Sequence, residues 1–429
     1  MLKYCMTEST HTQPIIREMF PGLHELYSAA IEDIDMAVTD VVMSLFFVVN
    51  GHKFPSPENN LRDALVRACE RGVRVHLIYS LQICERHMTP IQRVRWFWAN
   101  RMYDYEPFHI AHPNFHIHFP FNTEYEMAED AVVQREQMDV WETVLMHWSN
   151  TVWVKRIVHQ KYILIDTQTL FWGEMNIDQY LFDPAEPQLI NLSARLEFVA
   201  QDMELFRGYV DSLIHAHTTT PTLPQFISGN FGDTNTEVER ILQFIDSSKE
   251  YLWIENQWFH LLQPFDGTAT LMTRIINALV EKSLHIPVFI CSMGEMEETG
   301  LMAIQLQIGT ANSKAMLRTK THNIEFYHQR HTVLHTKFFM NESAVHWTTA
   351  NLTDPSLVPG MNLELAMSLT HPADVEKFRK EIWGQHMMIG GGGVSGGSVN
   401  TTTQHTFESV RNHFYTCEEF IEVDLDTWF

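Results

Sequence analysis

Two segments of the chain place a lysine two residues after a histidine. The first reads Val158-His159-Gln160-Lys161 and continues through Asp166 to Asn176; the second reads Leu334-His335-Thr336-Lys337 and continues through Glu342 to Asn351. Both fit His-x-Lys-x4-acid, with the asparagine ten residues beyond the acid in the first copy and nine in the second. On an extended strand residues i and i+2 share a face, so each His and Lys would project together while the apolar residues that follow anchor the strand in a core. Imidazole is a nucleophile near neutral pH, an ammonium is a point charge for phosphoryl oxygens, and an Asn amide donates a hydrogen bond. Two facing copies would supply one histidine to attack and one to protonate the leaving group. Two lysines and two amides would hold the non-bridging oxygens, so the chemistry expected is phosphoryl transfer without a metal or other cofactor.

One such pattern arises easily by chance; its repetition in matching surroundings is informative. In the first half a helix is expected over 26–35, a strand over 36–49, a helix over 60–71 closed by Gly72, and a strand over 73–79. In the second half the order returns as a helix over 238–248, a strand over 251–259, a helix over 271–282 and a strand over 286–291. Alternating strands and helices at this spacing imply βαβ units and a mainly parallel sheet. A metal site is the weaker rival, because lysine is not a usual ligand and no His-Glu-x-x-His or carboxylate cluster accompanies these histidines.

At these residues the sequence resembles the phospholipase D superfamily, whose signature is H-x-K-x4-D followed by G-[SG]-x-N, present twice. The resemblance extends over roughly residues 25–388. Ile254-Glu255-Asn256-Gln257 is similar to the strand that opens the second half of phospholipases D. Gly173-Glu174-Met175-Asn176-Ile177 with Tyr180 resembles a segment of the cardiolipin synthase branch. Asn351-Leu352-Thr353-Asp354, Asn362-Leu363-Glu364-Leu365-Ala366 and Ile382-Trp383-Gly384-Gln385-His386 resemble later stretches of the same enzymes. The resemblance implies an α/β protein of two halves related by a pseudo-twofold axis. Each half would hold a mixed, mainly parallel sheet flanked by helices, with the active site at the seam. It also implies a phosphohistidine intermediate on His159, with His335 as general acid and then base, or these two roles reversed. Lys161, Lys337, Asn176 and Asn351 would grip the phosphoryl group. Asp166 and Glu342 are the motif acids. A carboxylate downstream of each motif would orient a histidine, with Glu364 expected beside His335 and the counterpart for His159 near Ser193 or Glu197.

The sequence departs from that pattern at three places. Glu342 replaces the usual Asp with a shorter spacing to the asparagine, as in the endolysosomal exonuclease and poxviral envelope branches. Thr348-Thr349-Ala350 stands where Gly-Ser-x is expected. Glu174 puts a carboxylate beside a site meant for phosphate.

Composition narrows the substrate. The 429 residues are 45% hydrophobic and 19% charged, a globular balance, and the net charge is −23 with 24 histidines counted as neutral. A large acidic surplus opposes long polyanions, although Arg93, Arg95 and Arg101, or Lys314, Arg318 and Lys320, could line a local basic groove. A phospholipid presented at a membrane surface is therefore the expected substrate and peripheral partner. A nuclease of the same fold and a non-catalytic membrane or assembly factor are the alternatives. The aromatic stretch 94–108, with Trp96, Phe97 and Trp98, would suit acyl chains or plain packing. Five scattered cysteines without CxxC spacing read as reduced thiols, and no apolar run approaches the length of a membrane span. A cytoplasmic protein, peripheral at membranes, is expected. The expected layout is an extension over 1–24, halves over 25–220 and 221–388, a Gly/Thr-rich linker over 389–404 and a terminal segment over 405–429. The histidines at 109, 112, 116 and 118 read as polar surface, and 418–429 alternates like a strand that closes a sheet edge or binds a partner.

Overall fold

A computed structural model describes residues 13–45, 56, 58–79, 112–118, 157–176, 189–215, 222–229, 236–261, 270–293, 313, 317, 323–329, 333–357, 362–389, 405–418 and 420–422. The aromatic stretch 94–108, both basic clusters, His109 and all of the expected linker but Ile389 lie outside these residues.

The first half runs through β1 (Ile15–Phe20), α1 (Leu23–Met36), β2 (Asp40–Leu45), α2 (Leu61–Glu70), β3 (Arg74–Tyr79), β4 (Phe115–His118), β5 (Ile157–Val158), β6 (Tyr162–Ile165), β7 (Thr169–Gly173), β8 (Leu189–Ile190), β9 (Ser193–Glu197) and α3 (Ala200–Ile214). The second half follows with β10 (Ile227–Gly229), α4 (Thr236–Ser247), β11 (Leu252–Asn256), β12 (Phe259–His260), α5 (Leu271–Ser283), β13 (Val288–Met293), β14 (Ile324–Gln329), β15 (Val333–Leu334), β16 (Lys337–Met340), β17 (Val345–Thr348), β18 (Leu352–Thr353), α6 (Asp354–Leu357), β19 (Asn362–Leu363), β20 (Leu365–Leu369) and α7 (Pro372–Met388). The chain closes with α8 (Phe407–Thr416) and β21 (Phe420–Glu422).

The two large sheets repeat one another. The first has the order β1-β9-β7-β6-β2-β3-β4 and the second β10-β20-β17-β16-β11-β13-β14, with β21 added at its edge. In each, three parallel strands (β2, β3, β4 and β11, β13, β14) carry the βαβ crossover expected from the sequence. The remaining pairings are antiparallel, so each sheet is mixed and mainly antiparallel, not mainly parallel as the strand–helix alternation suggested, because the strands after each motif return as hairpins. The segment from 418 closes an edge, as β21 runs antiparallel to β14. The first sheet also reaches back into the expected extension, because β1 pairs with β9.

Helix ends follow local chemistry. Asn60 caps α2 through its side chain, and Gly72, at a φ of 90°, turns the chain out of it into β3. Thr270 caps α5 in the same way. One face of each sheet buries its own helices: α1 and α2 against Val41, Met43, Val75 and Ile163, and α4 and α5 against Leu252, Ile254, Val288 and Phe339. The opposite faces share a third core, in which Phe206 and Tyr209 of α3 and Phe378 and Trp383 of α7 meet Trp172, Trp253 and Trp347. This common core fixes one half against the other, and the site lies where it opens.

Two expected strands are interrupted for physical reasons. The strand over 36–49 begins only at Asp40, because the backbone of Val38 and Thr39 is turned toward the Asp166 carboxylate. The strand over 251–259 breaks after Asn256, whose side-chain Oδ1 accepts the backbone N–H of Trp258. It then resumes as β12 beside β18.

Candidate active site at the seam

Both His-x-Lys motifs sit at a change of strand partner. His159 follows β5, which pairs in parallel with β19 of the other half, whereas β6 immediately after Lys161 belongs to its own sheet. His335 follows β15, which pairs in parallel with β8 of the first half, and β16 then enters the second sheet. The motifs are therefore extended but not continuous strand. The alternation of faces survives: the residue between each His and Lys points away from the site. The Gln160 amide donates to Ser44 Oγ at 3.3 Å and accepts from the Tyr209 hydroxyl. Thr336 donates to Glu255 at 2.7 Å, and Glu255 also meets Trp253 Nε1 at 2.8 Å and His386 Nε2 at 2.6 Å. These buried polar groups hold each motif against its sheet from behind.

The ribbons that cross the seam decide which carboxylate meets which histidine. Leu363 pairs with Val158, and the Leu363 carbonyl accepts from the backbone N–H of both His159 and Gln160. Glu364 is the next residue, and it lies 2.8–2.9 Å from His159 Nδ1. The partner of Glu364 is thus His159, not His335 as its place downstream of the second motif suggested. By the same register Ile190 pairs with Leu334, so the position facing His335 is Asn191, not Ser193 or Glu197. Asn191 has no charge to offer. Its amide donates to the Glu174 carbonyl at 3.3 Å, and its Oδ1 accepts from Leu192. Glu197 sits at the far end of β9, paired with exposed Arg17.

The carboxylate missing at 191 appears on the motif turn. Gly173 holds a φ of 144°, and a Cβ there would come within 2.5 Å of the Leu192 carbonyl, so the turn packs tightly on β9. Glu174 comes next, fully buried, with Oε2 3.0 Å from Lys337 Nζ and 3.8 Å from both Lys161 Nζ and His335 Nδ1. In the second half the equivalent turn residue is Thr349, which donates to Glu364 at 2.6 Å. Both lysines are buried, and each ammonium donates to its own histidine's carbonyl, Lys161 at 2.6 Å and Lys337 at 3.0 Å.

Electrostatics follow from burial. Both imidazoles are held well below their ordinary range, first by burial and then by the two ammoniums, while the backbone carbonyls of Thr349 and Glu174 pull His159 and His335 respectively the other way. Burial lowers both lysines too, Lys337 to about 8, with Glu174 opposing the fall. Burial lifts the Glu364 carboxyl to about 8 against the pull of Lys161 and the hydroxyl of Thr349. Asn176 and Asn351 are buried at the same seam, and Asn351 Oδ1 has no hydrogen-bond partner. Asn256 braces the turn before Asn351, donating to the Ala350 carbonyl at 3.1 Å and accepting from Leu352 at 3.0 Å.

Asp166 and Glu342 are not at the site. Asp166 accepts from the backbone of Val38, Thr39 and Asp40 and from the Thr39 hydroxyl, tying the β6–β7 hairpin to the start of β2. Glu342 lies 3.3–3.4 Å from the backbone N–H groups of Lys249 and Glu250, before β11. Both acids therefore hold the scaffold and orient no histidine. The one-residue difference in motif spacing lies in these hairpins. Three residues separate Ile165 from Thr169, whereas Glu342 and Ser343 alone separate Asn341 from Ala344.

His116 and His118 stack with His76, and His76 Nδ1 is 2.9 Å from His118 Nε2, on the half-exposed face of β3 and β4. Cys69, Cys291 and Cys417 are free thiols. Among the described residues no helix is long and apolar enough to cross a membrane.

Residues 30–206 match the family described as cardiolipin synthase, PLD-like domain. No curated protein matches the sequence significantly. The fold is similar to that of phosphatidylserine synthase from Haemophilus influenzae Rd KW20, at 12% identity and a TM-score of 0.57 over 86% of each chain. It is also similar to polyphosphate kinase from Porphyromonas gingivalis, at 9% identity and a TM-score of 0.52 over 86% of this chain. The chain spans about half the length of that kinase, matching 50% of it.

Proposed function

We propose that the chain is a member of the phospholipase D superfamily and that it cleaves or transfers the phosphatidyl group of a phospholipid through a phosphohistidine intermediate. The observation that carries the reading is the convergence of two buried His-x-Lys pairs on one seam, with Glu364 hydrogen-bonded to His159 from the opposite half.

That bond suits His159 to the role of nucleophile. Glu364 at Nδ1, once ionised beside Lys161, accepts the ring proton there and puts the lone pair on Nε2, and the depressed imidazole keeps that lone pair unprotonated at neutral pH. Nε2 attacks phosphorus, a P–N bond forms, and the P–O bond to the leaving group breaks. His335 gives its proton to the departing oxygen. It then takes one from water or an alcohol, whose oxygen attacks phosphorus as the P–N bond breaks. Burial, with the fields of Lys337 and Lys161, keeps the His335 ring neutral, and a phosphodiester anion bound between the lysines offsets their fields and favours the imidazolium. The two ammoniums, Asn176 and Asn351 stabilise the charge gathering on the equatorial oxygens.

A lipid is supported by the matched family's description as cardiolipin synthase and by the phosphatidylserine synthase fold neighbour. The net charge of −23, which opposes long polyanions, supports it further. Incubation with phosphatidylcholine and a short primary alcohol should give the phosphatidyl alcohol; parallel incubation with single-stranded DNA should leave it intact. Shortened DNA without lipid turnover would select a nuclease, and turnover of neither a non-catalytic role. A chelator should leave the rate unchanged, and strict dependence on a divalent ion would sink the two-histidine account.

A further inference from the structure

The two halves distribute carboxylate and partner differently around their histidines. In the second half the acid is on the strand, Glu364, and the turn supplies the hydroxyl of Thr349. In the first half the strand supplies the amide of Asn191, and the acid is on the turn, Glu174. The two positions correspond by register, since the backbone N–H of Glu174 points to Leu192 and that of Thr349 to Leu365.

His159 has its carboxylate in hydrogen-bond contact, but His335 does not. Nδ1 of His335 is buried without a hydrogen-bond partner, and so is Oε1 of Glu174, whose other oxygen lies 3.8 Å from that nitrogen. A buried ring nitrogen and a buried carboxylate oxygen, each short of a partner, with the other oxygen of that carboxylate 3.8 Å from the ring, are costly apart and complementary together. Lys337, 3.0 Å from Glu174, is what holds the acid back.

We propose that Glu174 is the positioning carboxylate of His335, retained by Lys337 and released to the imidazole when a phosphoryl group takes that ammonium. The inference rests on the phosphoryl-transfer reading above. Substrate binding would then complete the acid: the phosphoryl oxygens replace Glu174 on Lys337, and the freed carboxylate closes on Nδ1 of His335. The ring is thereby oriented with Nε2 toward the leaving oxygen, and its imidazolium is stabilised. Glu174 would thus repair the loss of a carboxylate at 191.

The test exchanges the two positions. Glu174→Gln should lower kcat about 10- to 100-fold, the usual cost of removing a group that orients a reacting histidine, with KM little changed. Glu174→Thr combined with Asn191→Glu copies the arrangement around Glu364 and should recover most of that loss; Asn191→Asp serves if the longer side chain does not fold. A double variant no faster than Glu174→Thr alone, or a Glu174→Gln enzyme as fast as wild type, would overturn the proposal. A second readout does not depend on turnover. On adding tungstate, the Nδ1 proton of His335, identified by its loss in His335→Asn, should move downfield in wild type and not in Glu174→Gln. Equal spectra in the two proteins would also overturn it. If no phosphodiester is cleaved but the proton still moves, the function fails while the pairing stands.

Discussion

The two motif turns differ more than their shared histidine, lysine and asparagine suggest. Around His159 the hydrogen bonds are complete: Glu364 at Nδ1, Thr349 on Glu364, and Asn362 3.4 Å from the second carboxylate oxygen. Around His335 they are not, and the nearby acid is engaged by a lysine. A duplicated unit has become asymmetric at the level of single hydrogen bonds while its sheets kept the same strand order. A nucleophile must hold one tautomer throughout, whereas an acid that becomes a base must change protonation state, and a fixed hydrogen bond suits the first task better than the second.

The largest expected effect would break the comparison outright. His159→Ala and His335→Ala should each lower cleavage by about 10⁴-fold or more, since the two groups act in one sequence of steps. A p-nitrophenyl phosphodiester separates them, because its leaving group needs no proton. His335→Ala should still release p-nitrophenol in a single burst and His159→Ala should not. The reverse pattern would exchange the two roles.

A smaller effect sharpens it. Glu364→Gln should cost about 10- to 100-fold in kcat, because the amide no longer fixes the tautomer of His159. Asn191→Ala, at the matching position, should cost only a few-fold, since Asn191 holds the Glu174 carbonyl and carries no charge. Equal losses at both positions would mean that the halves are functionally symmetric.

The pH profile reads the lysines against the histidines. Lys337 is needed charged, and burial brings it down to about 8, so kcat/KM should fall as pH rises through that value. His159 is needed neutral, and its depressed imidazole places the acid-side fall below the ordinary histidine value of about 6.5. An acid limb at or above that value would mean that the site does not hold the ring neutral.

Much of this was legible in the residues. The His-x-Lys pairs, the repeated βαβ order and most helix ends are local patterns, and local patterns are what periodicity and caps report. The place of Glu364 downstream of the second motif points to His335, whereas its contact with His159 depends on β5 meeting β19 across some two hundred residues of chain. No spacing within one motif carries that information. Glu174 was visible as an anomaly, but its reach to Lys337 needs the same cross-seam geometry. The motif acids misled for the opposite reason: they belong to a recurring pattern, yet their partners are backbone N–H groups before β2 and β11.

That last pair provides the smallest and cleanest contrast. Burial pushes the Asp166 carboxyl up, but hydrogen bonds from residues 38–40 outweigh it and hold the group below its ordinary value. Its stabilisation is therefore present above the unfolded carboxylate value and is lost as pH falls through the lower, folded one. Among the described residues the Glu342 carboxylate accepts two long hydrogen bonds, at 3.3 and 3.4 Å, from a longer side chain. Asp166→Ala should cost about 1–2 kcal/mol in denaturant unfolding, as the loss of a cap with several bonds does. Glu342→Ala should cost about 0.5 kcal/mol or less, within the range of surface substitutions. Neither should move the pH profile of cleavage. A shift of that profile in Asp166→Ala would mean that the acid is felt at the histidines, and the division between scaffold acids and site acids drawn from the two hairpins would fall.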